Sequence, residues 1–134
     1  MRGNIKKPHP PIENLSIIDT SSDGHGIGKI NDMVVFVKHA VPGDVVNVKV
    51  TRKKSNYREG TVSEIIQPSD KRTTAVCLHF GTCGGCKWQN MDYKWQLFFK
   101  QKHVTDALTR LAKVELPETT SILPSKKTYN YRNK

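Results

Sequence analysis

All three cysteines of the chain fall within ten residues, in the run Cys77-Leu78-His79-Phe80-Gly81-Thr82-Cys83-Gly84-Gly85-Cys86. Thiolates are the ligands of zinc and of iron-sulfur clusters, and a loop that uses every cysteine of a protein is laid out for such a group. The Cys83-Gly84-Gly85-Cys86 step lets two sulfurs converge, because glycine adopts the positive-φ turns that convergence needs. Cys77 reaches the same place from upstream. A tetrahedral thiolate site and a cubane cluster both take four protein ligands, so one ligand must come from elsewhere. His79 or His103 would complete a Cys3His zinc set, and a ligand beyond Lys134 would complete a cluster. In a reducing compartment an odd number of clustered cysteines reads as metal or redox chemistry, not as a disulfide framework.

A second group of residues suits a polyanion. Lys49-Val50-Thr51-Arg52-Lys53-Lys54-Ser55-Asn56-Tyr57-Arg58 reads as a basic hairpin whose cations neutralise phosphates and whose Tyr57 offers a base a stacking face. Lys29 and Lys38 flank neighbouring strands and extend that surface. The competing reading is a solvated turn that keeps edge strands from aggregating. Charge favours the first: 22 Lys and Arg face 12 Asp and Glu, a net of +10. The excess lies on both sides of Arg72, with 12 basic and 8 acidic residues up to it and 10 and 4 after it. A cation surplus spread along a chain points to nucleic acid as partner.

The elements that position these groups change character along the sequence. Residues 1–11 are polar and proline-rich and predict a flexible lead-in. From Ile12 to Gln67 the runs Ile12–Thr20, Met33–Lys38, Val45–Thr51 and Tyr57–Ile66 predict short strands, separated by turn signals at Asp23–Gly28, Asn31-Asp32, Pro42-Gly43-Asp44 and Lys54–Asn56. Gly24-His25-Gly26-Ile27-Gly28-Lys29 reads as a turn between strands rather than as a phosphate cradle. The expected fold is mainly β: a small five-stranded barrel of the oligonucleotide-binding type over 12–70, with an SH3-like barrel as rival. Residues 71–134 then supply the cysteine loop and one helix over about 91–113, capped by Asn90, with Leu97, Phe98, Val104, Leu108, Leu111 and Ala112 as its apolar face. Little in the chain is left to cover that face, and the sequence from Leu123 to Lys134 reads as a cut within a larger fold. No apolar stretch of about 20 residues spans a membrane, and no secretion signal opens the chain, so a cytoplasmic location is expected.

The order of motifs carries a resemblance. Gly24–Lys29, Val34-Val35-Phe36-Val37, Val41-Pro42-Gly43-Asp44-Val45, Pro68-Ser69, Cys77, His79-Phe80-Gly81, Cys83–Cys86, Gln89, Tyr93, Gln96 and Tyr131-Arg132-Asn133 together resemble the N-terminal part of the RNA uracil-C5 methyltransferases. Those enzymes use S-adenosylmethionine to modify ribosomal or transfer RNA. In that family a TRAM domain, an RNA-binding barrel, precedes a central domain with a four-cysteine 4Fe-4S cluster, and a Rossmann-like catalytic domain closes the chain. Other TRAM proteins, such as the radical methylthiotransferases, place the barrel after their cluster domain and space their cysteines differently. The resemblance implies that Cys77, Cys83 and Cys86 are three cluster ligands and that the fourth comes after the Tyr131-Arg132-Asn133 segment. Leu78 stands where the family often has Pro. Family enzymes attack C6 of uracil with a thiolate, methylate C5 and remove its proton with a general base. None of the three cysteines here lies in that catalytic motif, so the chain alone is expected to be inactive. A self-contained RNA-binding module with a structural zinc site is the alternative. The oligomeric state is open, with a monomer expected.

Overall fold

Valines and isoleucines at every second position generate a sheet with one apolar face, and the first half of the chain is written in that pattern. The structure, a computed structural model of the chain, describes residues 7–118 and 121–131. The start of the expected lead-in, and Arg132 and Asn133 of the terminal motif, lie outside the described residues. Six strands form: β1 (Ile12–Ser16), β2 (Asp19–Thr20), β3 (Gly26–Ile30), β4 (Met33–Lys38), β5 (Val45–Lys53) and β6 (Tyr57–Gln67). They make one sheet in the order β1-β5-β6-β4-β3-β2. Every pairing is antiparallel except that of β4 with β6.

The expected five-stranded barrel is thus a mainly β, six-stranded sheet whose ladder stays open at β1 and β2. Those edges are consecutive in sequence, and the residues between them bond in both directions. The Ile17 N–H donates to the Asp44 carbonyl at 2.9 Å, and the Ile18 N–H to the Ile27 carbonyl at 2.8 Å. The sheet therefore curls around one core of Leu15, Ile17, Val35, Val37, Ala40, Val46 and Val48, each at most 4% exposed.

β3 corrects the reading of Gly24–Lys29 as turn alone. Strand propensity is blind to it because its inward positions are glycines: a Cβ on Gly28 would lie 2.8 Å from the Leu15 side chain. The missing side chains let Leu15 press on the backbone. The Asn31-Asp32 turn after β3 has positive φ at both residues, 46° and 64°, the twist that a two-residue hairpin needs.

Between β4 and β5 the chain passes through Gly43 at φ +98°, where a Cβ would meet Ser69 Oγ at 2.5 Å. That hydroxyl is committed, donating to the Pro42 carbonyl at 2.6 Å. Gly43→Ala combines left-handed strain of about 1–2 kcal/mol with this clash, so its urea midpoint should fall by at least the equivalent of that strain. An unchanged midpoint would mean that the loop is free to re-form.

Helix α1 runs Tyr93–Asp106 and passes into a π-helical turn at Ala107–Leu111. Its cap is Asp92, whose carboxylate accepts from the Lys94 N–H, and not Asn90 as expected. Asn90 is buried, and its amide donates to the His39 carbonyl at 3.0 Å. The expected apolar face is also displaced. Phe99 is the buried helix residue, packed with Val41 and Met91 and flanked by Trp88 and Trp95, whereas Phe98, Val104 and Leu111 are 53%, 60% and 84% exposed. Val41, in the middle of the β4–β5 loop, selects the stripe that is covered. A second attachment comes from Lys102, which reaches Asp19 and Asp106 at 2.9 Å each. The bond to Asp106 and then that to Asp19 raise the Lys102 pKa above its ordinary value.

One buried ion pair joins the sheet to the segment that leads into the cysteine loop. Asp44 is 1% exposed and accepts from the Val41 N–H and the Ser69 N–H at 2.8 Å each. Arg72 completes it, with Nε at 2.9 and 3.0 Å from the two carboxylate oxygens and Nη2 at 2.8 Å from Oδ2. The same Nη2 donates to the His39 carbonyl at 2.9 Å.

Candidate nucleic-acid interface

Strand alternation puts the non-core residues of β3, β4, β6 and β5 on one outer face. Two aromatics meet there: Phe36 and Tyr57 stack edge to face with centroids 5.8 Å apart. Phe36 is half of this surface pair and not a core residue. The register aligns Lys29 with Val34 and Val34 with Tyr57, so Lys29 lies in the same cross-strand row as the tyrosine. Lys38 and Lys49 both pair with Thr61, from opposite sides, in a second row. Arg52 lies opposite Glu59 and forms a 3.8 Å ion pair with it. Lys29, Lys38, Lys49 and Arg52 thus surround the Phe36–Tyr57 pair, an arrangement that can hold phosphates while rings stack on bases.

The β5–β6 hairpin lies at one end of this face and carries Arg52, Lys53 and Lys54, with Lys53 in the opposite-facing row of Arg58 and Val35. Its turn closes through the Lys54 N–H to the Tyr57 carbonyl at 3.0 Å, and Arg58 braces it with a bond to that carbonyl at 3.1 Å. Arg58 is therefore spent largely on the hairpin's own backbone, and Tyr57 shares one ring surface with Phe36. The contiguous residues were legible as a cluster; that Lys29, Lys38 and Lys49 share rows needed the register.

The cysteine loop is a chain of tight turns, with Phe80 N–H donating to the Cys77 carbonyl at 3.1 Å and Thr82 and Cys83 N–H to the His79 carbonyl at 3.0 and 2.8 Å. Cys77, Cys83 and Cys86 are free and exposed. Gln89 ties the ends of the loop, accepting from the Cys77 N–H at 3.1 Å and donating to Cys86 Sγ at 3.2 Å, while the Gly85 N–H points to Cys83 Sγ at 3.4 Å. N–H groups aimed at sulfur are what a thiolate-held metal group uses around its ligands. The donor type therefore fits such a group. The geometry does not complete a site: among the described residues no three His, Cys, Asp or Glu side chains are gathered for a metal ion. His103 is engaged elsewhere, its Nε2 lying 2.7 Å from the Thr20 carbonyl. Trp88 beside the loop is a packing residue, tilted on His103 at 6.0 Å.

His25 and His39 sit near this junction. Burial is the main cause that lowers both pKa values, with the Lys38 charge next. A histidine whose folded pKa lies below its unfolded value binds fewer protons when folded, so stability is full above the ordinary histidine range and declines as pH falls through it. The urea midpoint should therefore drop between about pH 7.5 and 5.5, above the range where carboxylates titrate. The double variant His25→Gln, His39→Asn should show a shallower drop, and an equally steep one would assign the effect to other groups.

Residues 12–63 match the TRAM domain. A protein of Bacteroides thetaiotaomicron described as an uncharacterized RNA methyltransferase is 47% identical over 114 residues, 85% of this chain and 25% of that protein. A 23S rRNA (uracil(1939)-C(5))-methyltransferase RlmD of Legionella pneumophila is 40% identical over 134 residues, covering 97% of this chain and 30% of that protein. Among solved structures, the Pyrococcus abyssi tRNA (uracil-54, C5)-methyltransferase in complex with S-adenosyl-L-homocysteine matches with a TM-score of 0.50 at 28% identity, covering 84% of this chain and 24% of that one. The chain spans 25–30% of the length of these two curated relatives. No helix among the described residues is long and apolar enough to cross a membrane.

Proposed function

We propose that this chain, which carries a TRAM domain over residues 12–63 and is similar along most of its length to RNA methyltransferases, is the RNA-binding portion of an S-adenosylmethionine-dependent RNA uracil-C5 methyltransferase. The observation that carries this reading is the outer sheet face, where Phe36 and Tyr57 meet among Lys29, Lys38, Lys49 and Arg52. Rings supply sequence-tolerant stacking and the cations supply the salt-dependent hold on phosphate. The substrate is ribosomal or transfer RNA, and the protein works in the cytoplasm as a monomer. Methyl-donor binding and the C6 nucleophile belong to a part of the protein outside this chain.

Cys77, Cys83 and Cys86 are three ligands of a 4Fe-4S cluster in this reading, with a fourth ligand from outside the chain. The cluster's contribution is to order loops next to RNA, since uracil methylation by thiolate addition needs no electron transfer. Gln89, bonded to the Cys77 backbone and to Cys86 Sγ, holds the loop's two ends in place for it.

Methylation at C5 displaces the proton there, which gives a direct assay. The intact protein carrying this segment should release tritium from RNA labelled at C5 of uridine when given S-adenosylmethionine, while the 134-residue chain binds the same RNA and releases none. Methyl transfer by the intact protein to another base, without tritium release, would reject uracil C5 as the target.

A further inference from the structure

A cleft of about 600 Å3 opens where the curled sheet meets the cysteine loop, with His39, Val62, Ile65, Arg72, Phe80 and Asn90 in its lining. Neither the outer sheet face nor the thiols account for it. Its volume lies in the range of about 300–1,000 Å3 that small organic groups occupy.

Two rings stand in its wall. His39 and Phe80 meet edge to face, centroids 5.9 Å apart and planes at 76°. His39 holds a left-handed backbone at φ +66°, a conformation that residues other than glycine avoid unless their surroundings impose it. The surroundings here are explicit: the His39 carbonyl accepts from Arg72 Nη2 at 2.9 Å and from Asn90 Nδ2 at 3.0 Å. Arg72 is itself locked by the buried Asp44. The imidazole is thus aimed by a rigid polar frame. Val62 and the 40% exposed Ile65 give the cleft an apolar side. Lys38 precedes His39 in the chain, and the Lys38 and Lys87 charges act on both His25 and His39.

Two ring surfaces, an apolar wall and flanking cations are what a splayed-out base and its phosphates require. We propose that this cleft receives one unpaired base of the bound RNA, packed against Phe80 and His39, with Lys38 and Lys87 on the flanking phosphates. The proposal rests on the RNA-binding reading above and gives it a second contact point. Six residues of β6 separate Arg58 at the hairpin from Ile65 at the cleft, roughly 23 Å of strand. One single strand of the length that such folds cover, about 4–16 nucleotides, reaches both.

The test is binding of an oligouridylate of about ten nucleotides to the 134-residue chain, read by fluorescence anisotropy, with each nucleotide in turn made abasic. One abasic position should weaken binding by about 5- to 100-fold, the measured scale for one stacked base. Phe80→Ala should weaken the intact oligomer by a similar factor, leave the salt slope unchanged and remove the sensitivity at that one position. Phe80→Tyr should restore both. His39→Asn, which keeps a side chain tolerant of the left-handed backbone, should give a partial loss. Full affinity in Phe80→Ala, or position-independent abasic effects, overturns the cleft while leaving RNA binding intact. If the unaltered chain binds no oligomer, the RNA-binding reading falls and this proposal with it. Should Phe80→Ala fail to fold, the abasic scan on the unaltered chain still decides.

Discussion

Asp44→Ala should destabilise the chain by about 3–5 kcal/mol, the scale for removing one partner of a buried ion pair. The carboxylate is fully enclosed, and its Arg72 partner is 19% exposed at the side chain. Deleting it leaves the guanidinium and the Val41 and Ser69 N–H groups without their acceptor at once. The cost is that of stranded charge and unsatisfied donors, and exceeds any net attraction between the pair. A double-mutant cycle separates these. Asp44→Ala combined with Arg72→Met should cost less than the sum of the two single changes, because the second replacement removes the stranded charge. The measurement is urea unfolding of the four proteins. A single-variant loss below about 1 kcal/mol would show that water reaches Asp44 in solution.

Arg52→Ala, Lys53→Ala and Lys54→Ala made together should weaken single-stranded RNA binding by about 100-fold at 0.1 M salt and lower the logarithmic salt slope by about 2. Both numbers come from three phosphate contacts with about 0.7 counterion released at each. Only Arg52 of the three is ion-paired among the described residues, to Glu59 at 3.8 Å, so Lys53 and Lys54 carry most of the change. Stability should stay within about 0.5 kcal/mol, since all three side chains are exposed. A reduced affinity with an unaltered slope would place the loss in packing instead of in phosphate contact. This result is distinct from that expected for Phe80→Ala, where affinity falls and the slope holds.

Much of this was legible where the signal is local. Met33–Lys38 and Tyr57–Gln67 form strands from short runs rich in β-branched residues bounded by turn signals, and the Asn31-Asp32 turn arises from side chains that tolerate positive φ. The basic hairpin is contiguous, so its cations could be grouped by reading alone. β3 was hidden because Gly26 and Gly28 serve the core by what they lack. The helix illustrates a different limit. Periodicity finds apolar stripes, but α1 has apolar residues on more than one side, and only the position of Val41 and Met91 decides that Phe99 is covered and Phe98 is not. Asp44 and Arg72 are 28 residues apart, and nothing in the Pro42-Gly43-Asp44 turn distinguishes a buried carboxylate from an exposed turn residue. The thiols were found at once from their spacing, whereas the Gln89 tie between Cys77 and Cys86 needed coordinates.

If the chain grips single-stranded RNA across the outer face of β3, β4, β6 and β5, a titration with a short oligouridylate will show it residue by residue. The isotopically labelled chain would be titrated at physiological ionic strength, with every backbone amide observed. Saturable shifts should concentrate at Lys29, Phe36, Lys38, Lys49, Arg52–Tyr57 and the His39–Phe80 cleft, with the buried valines of the core unmoved. Shifts confined to the exposed side of α1, or none at all, would contradict RNA binding by this face.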